Sequence, residues 1–417
     1  MKMTGEGMLS PYRVLDLAGE QGLLCGKILG DLGADVIKVE KPGGDETRFL
    51  GPFYHDEFEP EKSLFWFAYN TNKRGITLNL ESSDGREIFK KLVKTSDIVV
   101  ESFSPGYMDK IGLGYSELNQ INPRIILVSI TPFGQTGPYK DYKISDIVAW
   151  AMGGYMLSVG DWDRPPVRIS NHSQSFLHAG GQAAQGALMA LYYREMTGEG
   201  QFVDVSIRDS IARCTPERVT ESWDFNKRIV HRGGGGQQAT VHITRAWPCK
   251  DGYVSAFFWS GPDAKRWNSP LIKWMDHEGK ANDFLKGINW DEFNLQTINQ
   301  DAYDKIAKPV GEFFKSHTKA ELLQGALEFN AQLYPISTTE DIVANPQLAS
   351  RAYWVEIEHP ELGTTIKYPG TFAKTSEVPL RNPFRAPLIG EHNLEIYENE
   401  LGIPRTELIR LKQAGII

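Results

Sequence analysis

The 417-residue sequence is poor in cysteine: Cys25, Cys214 and Cys249 stand far apart and form no C-x-x-C pair. A disulfide framework or a zinc ribbon needs more thiols in closer register, so neither is expected, and a reducing cytoplasm is the predicted compartment. No apolar run approaches the roughly 18 residues that cross a bilayer, and residues 1–11 lack the apolar stretch of a secretory leader. Positive charge is in deficit as well, with 45 Lys+Arg against 53 Asp+Glu and a net charge of −8. That excludes general attraction to nucleic acid or anionic membrane, and leaves any anionic ligand to be met by a local basic patch. Dinucleotide chemistry is disfavoured because Gly19, Gly22 and Gly26 in GEQGLLCG do not have the G-x-G-x-x-G spacing. No G-x-x-x-x-G-K-[ST], G-x-S-x-G or H-E-x-x-H occurs, and the nine histidines are scattered without ligand spacing, so no metal site is expected. One further absence is local. From Arg164 to Arg194 there is no Asp or Glu.

Hydrophobic residues at 41% and charged residues at 24% are those of an ordinary globular protein, and the length favours two domains. Strands are predicted over 13–18, 34–40, 76–80, 97–101, 124–130 and 201–207, with a helix carrying Leu23, Leu24, Ile28, Leu29 and Leu32 after the first and one whose face is Ile88, Phe89, Leu92 and Val93 after the third. This alternation predicts a doubly wound α/β domain with a parallel sheet. Residues 173–194 are rich in Ala and Gly, as in a helix packed closely against other backbone. The run HRGGGGQQ at 231–238 interrupts regular structure as a linker or flap. A smaller region follows, with a hairpin-like segment at 249–259 and amphipathic helices over 303–317 and 319–329.

Lys41, Lys73, Arg74, Lys110 and Lys143 fall at strand ends or in loops, where the ligand crevice of a doubly wound sheet opens. The strings LGDLGADVIKVEKPGGDETR, NTNKRGITLNL, ESFSPGYMDKIGLGY and NPRIILVSITPFGQTGPYKDYKISD, followed by ALYYREMTGEGQFVDVS and WPCKDGYV, resemble the class III coenzyme A (CoA) transferases. This is the CaiB/BaiF family, which includes formyl-CoA and carnitine CoA-transferases and α-methylacyl-CoA racemase. The resemblance runs over nearly the whole chain.

It implies an α/β fold of two interlocked protomers, each with a Rossmann-like large domain and a small α+β domain. Residues 1–225 would open the large domain, 226–239 would be a Gly-rich flap or linker, 240–334 the small domain, and 335–417 a segment returning to the large domain. CoA thioesters would be substrates, with no tightly bound cofactor. Carried over by position, the family's CoA contacts fall on Gly19, Glu20, Gln21, Lys41, Asn70, Thr71, Asn72, Lys73, Ser102, Phe103, Lys110 and Lys143. Lys41 and Lys110 stand where relatives commonly carry Arg. Gly233, Gly234, Gly235 and Gly236 match a glycine flap that closes over the active site.

The family's nucleophile is an Asp, whose mixed anhydride and enzyme thioester keep the acyl group activated. It lies about 22 residues before a TGxGQ motif, and counting back from Thr197 reaches Ser175. A racemase would need a His before Asp146, where Ser145 stands. Asp146 reads as an orienting or structural acid, and His172 and His178 as packed, hydrogen-bonded residues. The expectation is thus a subunit without the catalytic Asp, paired as a heterodimer or heterotetramer with a homologous subunit that keeps it. The donor would be an acyl-CoA such as succinyl-CoA. The acceptor would be an acid such as (R)-benzylsuccinate of anaerobic toluene degradation, suited by Trp66, Trp150, Phe257, Phe258 and Trp259. The alternatives are a self-sufficient homodimer using Asp146 or Glu20, and an inactive CoA-binding protein.

Overall fold

The computed structural model describes residues 7–160, 164–214, 237–238, 241–295 and 297–417. The chain divides into a large unit, Met1–Gly153 with Ser170–Thr215 and Gln347–Ile417, and a small unit, Gly154–Ile169 with Pro216–Pro346. The glycines Gly233–Gly236 lie outside the described residues.

The large unit runs β1 (Arg13–Asp16), α1 (Leu23–Asp31), β2 (Asp35–Glu40), α2 (Leu64–Tyr69), β3 (Lys73–Thr77) and α3 (Ser83–Val93). It continues with β4 (Ile98–Glu101), α4 (Tyr107–Lys110), α5 (Tyr115–Ile121), β5 (Ile126–Thr131), α6 (Asp146–Met152), α7 (Gln174–Thr197), β6 (Phe202–Ser206) and α8 (Ile207–Ala212). The strands form one parallel sheet in the order β3-β2-β1-β4-β5-β6. Strands such as β5 are buried throughout because both faces are covered, which is why they read as continuous apolar runs. Strand order reverses direction between β1 and β4, the place in a doubly wound sheet where the ligand crevice opens outside the carboxyl ends of the strands.

One strand departs from the sequence prediction. β3 begins at Lys73 rather than at 76, so the charged pair Lys73 and Arg74 lies inside a buried strand instead of a loop. Arg74 forks onto Asp35 at 2.9 and 2.6 Å and also reaches Glu395 and Glu400. These partners are distant in sequence, and they neutralise charge that local patterning assigns to solvent. The C-terminal segment covers the edge of β3, where the Gly75 carbonyl accepts from His392 N–H and Thr77 N–H donates to Asn393 Oδ1.

Small residues set the spacing of α1 and α7. A Cβ on Gly26 would stand 2.1 Å from Asp16 Oδ2, and one on Gly180 would stand 3.0 Å from Leu24 Cβ. A larger residue at Gly26 would push α1 off the sheet, and one at Gly180 would press α7 away from α1. Ala179, Ala183, Ala184, Ala187 and Ala190 are buried, so the lean sequence of α7 serves close packing.

The small unit has an antiparallel sheet of Ala246–Cys249, Gly252–Ala256 and Leu333–Pro335. Helices Ala264–His277, Gln300–Lys315 and Lys319–Phe329 close over it around Trp247, Trp274, Phe313 and Phe314. Among the described residues no helix is long and apolar enough to cross a membrane.

Candidate functional site

At the carboxyl ends of β1 to β4 lies a cavity of about 780 Å³. It brings together Gly19, Glu20, Lys41, Ser102 and Phe103 of the expected set, along with Asn79, Tyr107 and Gly415, which sequence reasoning missed. Gly19 N–H donates to Ser102 Oγ at 2.9 Å, tying the loop after β1 to the loop after β4 across the point where strand order reverses. Phe103 and Tyr107 lie with ring centroids 4.8 Å apart and planes tilted by 41°, an apolar corner on which a flat ring could rest against one face.

Charge on the wall of this cavity is largely neutralised from behind. Arg48 grips Glu40 through two bonds of 2.6 and 2.8 Å, donates to Glu61 and the Pro387 carbonyl, and lies 3.7 Å over the Trp66 ring. Lys38 donates to the Ala18 carbonyl at 2.6 Å and pairs with Asp45 at 3.1 Å. Burial pulls the Lys38 ammonium down, but Asp45, Asp16 and Glu40 outweigh it and hold it above the usual lysine range. Lys41 is exposed, and its 2.9 Å pair with the solvated Glu46 is worth little in water, so its charge can turn to a ligand. Beneath the loop, Glu101 Oε2 accepts from Phe103 N–H at 2.7 Å. Burial lifts this carboxyl to about 7, against hydrogen bonds from Ser129 and Phe103.

The segment Asn70–Lys73 is placed elsewhere, in the interior. Lys73 spends its three donors on Asp16 Oδ2 at 2.8 Å, the Leu23 carbonyl and Asn70 Oδ1, with no exposed side-chain surface. Asn72 donates to Asp31 Oδ1 and accepts from Phe384 N–H, while Thr71 Oγ1 accepts from Lys27. The expected phosphate contact at Lys73 is therefore replaced by a fold-holding charge pair. Gln21 is half-buried, and Lys110 and Lys143 are exposed; none of the three lines the cavity.

Glu20 also borders a second cavity of about 200 Å³, walled by Leu23, Leu24, Phe65, Tyr69, His172 and Leu177 among others. Ser173 Oγ donates to Glu20 at 2.7 Å. Two residues on, Ser175 is fully buried, and its N–H and Oγ both donate to Asp146 Oδ1, at 2.9 and 2.7 Å. Trp150 Nε1 donates to the same oxygen at 3.2 Å. Asp146 thus caps the first turn of α7 from outside the helix, where an unpaired N–H meets a favourable negative charge.

The two histidines expected to be packed and hydrogen-bonded sit differently. Both are exposed: His172 lines the second cavity, and His178 packs edge-on against Trp150 with its Nδ1 3.8 Å from Cys214 Sγ. Of the aromatic residues expected to suit an aromatic acid, Trp66, Trp150 and Phe258 are core. Among the described residues no group of three or more His, Cys, Asp or Glu side chains converges as metal ligands would.

Residues 9–393 match the family model described as CoA-transferase family III. The chain is 36% identical to the succinyl-CoA:(R)-benzylsuccinate CoA-transferase subunit BbsE of Thauera aromatica over 98% of each chain. It is 32% identical to a formyl-CoA:oxalate CoA-transferase of Streptomyces avermitilis, over 98% of this chain and 99% of that one. Identity to the beta subunit of succinyl-CoA–L-malate CoA-transferase of Chloroflexus aurantiacus is 30%, over 98% of each. The crystal structure of a CaiB/BaiF family protein from Brucella suis superposes with a TM-score of 0.82 at 28% identity, covering 94% of this chain and 99% of that one. A parallel sheet in this strand order, a ligand-sized crevice at its switch point and matches over almost the entire length together establish that this chain belongs to CoA-transferase family III.

Proposed function

We propose that this chain is the non-catalytic subunit of a heteromeric cytoplasmic CoA-transferase. Its interlocked partner is a homologous subunit that supplies the nucleophilic Asp. The complex moves CoA from an acyl-CoA such as succinyl-CoA to a carboxylic acid, with (R)-benzylsuccinate the acceptor favoured by the likeness to BbsE. The observation that carries the reading is Ser175, a buried hydroxyl hydrogen-bonded to Asp146 inside a stretch without acidic residues. Attack by that hydroxyl would leave an oxoester, which is less activated than a thioester and would stall the exchange. In this reading the larger cavity holds CoA. Phe103 and Tyr107 face the base, Lys41 meets a phosphate as a point cation, and the close loop at Gly19 lets backbone approach the chain.

A second reading has one observation in its favour. Glu20 is a carboxylate that lines both cavities, so a self-sufficient enzyme would use it rather than the buried Asp146. Mass-spectrometric mapping of the covalent adduct in the co-expressed complex separates the two. Incubation with succinyl-CoA followed by hydroxylamine should mark an Asp of the partner and no residue of this chain. A mark on Glu20, lost in Glu20→Gln, would overturn the first reading.

A further inference from the structure

A second kind of binding chemistry stands in the small unit. The strand pair Ala246–Cys249 and Gly252–Ala256 carries Arg245 before its first strand and Phe257 to Ser260 after its second. The Ala256 N–H to Arg245 carbonyl bond, 3.0 Å, holds these two ends together. Beside them is a cavity of about 440 Å³ whose lining includes Arg245, Phe257, Trp259 and Ser260. That volume is in the range of small-molecule sites.

Its walls are aromatic and its charge is positive. Arg48, Arg74 and Arg194 each meet carboxylates, whereas the exposed Arg245 guanidinium lies 5.7 Å from the Phe257 ring centroid. Phe257 and Trp259 are 5.1 Å apart, and Trp259 is 6.0 Å from Trp267. This aromatic row is fixed in place. The buried Asn268 side chain accepts from Trp259 N–H at 2.8 Å and donates to the Trp259 carbonyl at 2.9 Å, and the indole N–H is bonded to Gln332. Rings held this firmly lose little entropy on binding a flat ligand.

We propose that this cavity is an aryl-carboxylate site, in which Arg245 receives the carboxylate and Phe257 and Trp259 take the ring. A guanidinium fork matches a carboxylate through two parallel bonds, and its neighbouring ring face favours both the cation and a second ring. An aliphatic dicarboxylate would use only the fork. The inference rests on the aromatic-acceptor reading above and names where such an acid is met.

The test is tryptophan fluorescence and calorimetry on the folded chain, titrated with 2-benzylsuccinate, succinate and CoA. Benzylsuccinate should quench saturably and bind about fivefold or more tightly than succinate, since ring stacking adds on the order of 1 kcal/mol. Arg245→Ala should weaken it about tenfold, and Arg245→Lys should recover only part, because an ammonium cannot make the paired bonds. Trp259→Phe should lose most of the quench while calorimetry still finds binding. Equal affinity for benzylsuccinate and succinate overturns the proposal, as does an Arg245→Ala protein with unchanged circular dichroism and unchanged affinity. Loss of CoA binding in Arg245→Ala also overturns it, because the cavity would then be a nucleotide site. Aryl binding without any CoA binding would instead count against the larger cavity's assignment and leave this one standing.

Discussion

Replacing Lys73 by Met removes the ammonium from a fully buried charge pair while keeping a side chain of similar length. Asp16 is left without its 2.8 Å partner, and its remaining direct donor is Ala18 N–H at 3.0 Å. The Leu23 carbonyl and Asn70 Oδ1 lose a donor as well. Stranding one member of a buried pair costs about 3–5 kcal/mol, a large share of the roughly 5–15 kcal/mol that holds a domain. Asp16→Asn with Lys73→Met takes away the stranded charge and should recover most of the loss. Urea unfolding followed by circular dichroism measures both, with CoA affinity determined by calorimetry in parallel. The reasoning fails if Lys73→Met unfolds at the wild-type urea concentration yet binds CoA tenfold more weakly, for Lys73 would then be a phosphate ligand.

Other consequences are equally direct. The Glu101 carboxyl is raised from 4.5 to about 7 by burial, so the folded chain holds this proton more tightly than the unfolded chain. Its contribution to stability is therefore present at low pH and is lost as pH climbs from about 4.5 to about 7. Glu101→Gln should flatten that slope and be about 2–3 kcal/mol more stable than wild type at pH 8; parallel pH–stability curves would rule this out. Ser175→Asp should restore an attacking carboxylate, detected as a hydroxylamine-sensitive adduct on residue 175 after exposure to acyl-CoA, with Ser175→Ala as the blank. An adduct absent from a well-folded Ser175→Asp would separate this position from the nucleophile's. Asp146→Asn should cost about 1–2 kcal/mol, the range of a helix cap, and leave CoA exchange by the complex within about twofold; abolished exchange would make Asp146 chemically involved.

Much of the fold was legible because parallel strands buried on both faces announce themselves as apolar runs between one-sided helices. The start of β3 was not, since Lys73 and Arg74 look solvated until Asp16, Asp35, Glu395 and Glu400 are brought beside them by the topology. The same blindness affected the site. Lys41, Ser102 and Phe103 line the crevice because they follow strand ends, a local feature legible in the sequence. Whether a lysine faces ligand or core depends on its non-local partners, and so Lys73 was misplaced. Aromatic side chains carry the same ambiguity: Trp66 and Phe65 are adjacent, yet one stacks beneath Arg48 and the other lines the smaller cavity. The absence of acidic residues from 164 to 194 needed no three-dimensional information.

The central claim is that this chain cannot complete CoA transfer without a partner's carboxylate. Exchange between succinyl-CoA and 2-benzylsuccinate, measured for the purified chain alone and for the chain co-expressed with a homologue that carries Asp at the position of Ser175, tests that claim most directly. The lone chain should turn over about a thousandfold or more slowly than the pair, as expected when a covalent nucleophile is missing. Equal rates per active site would contradict it.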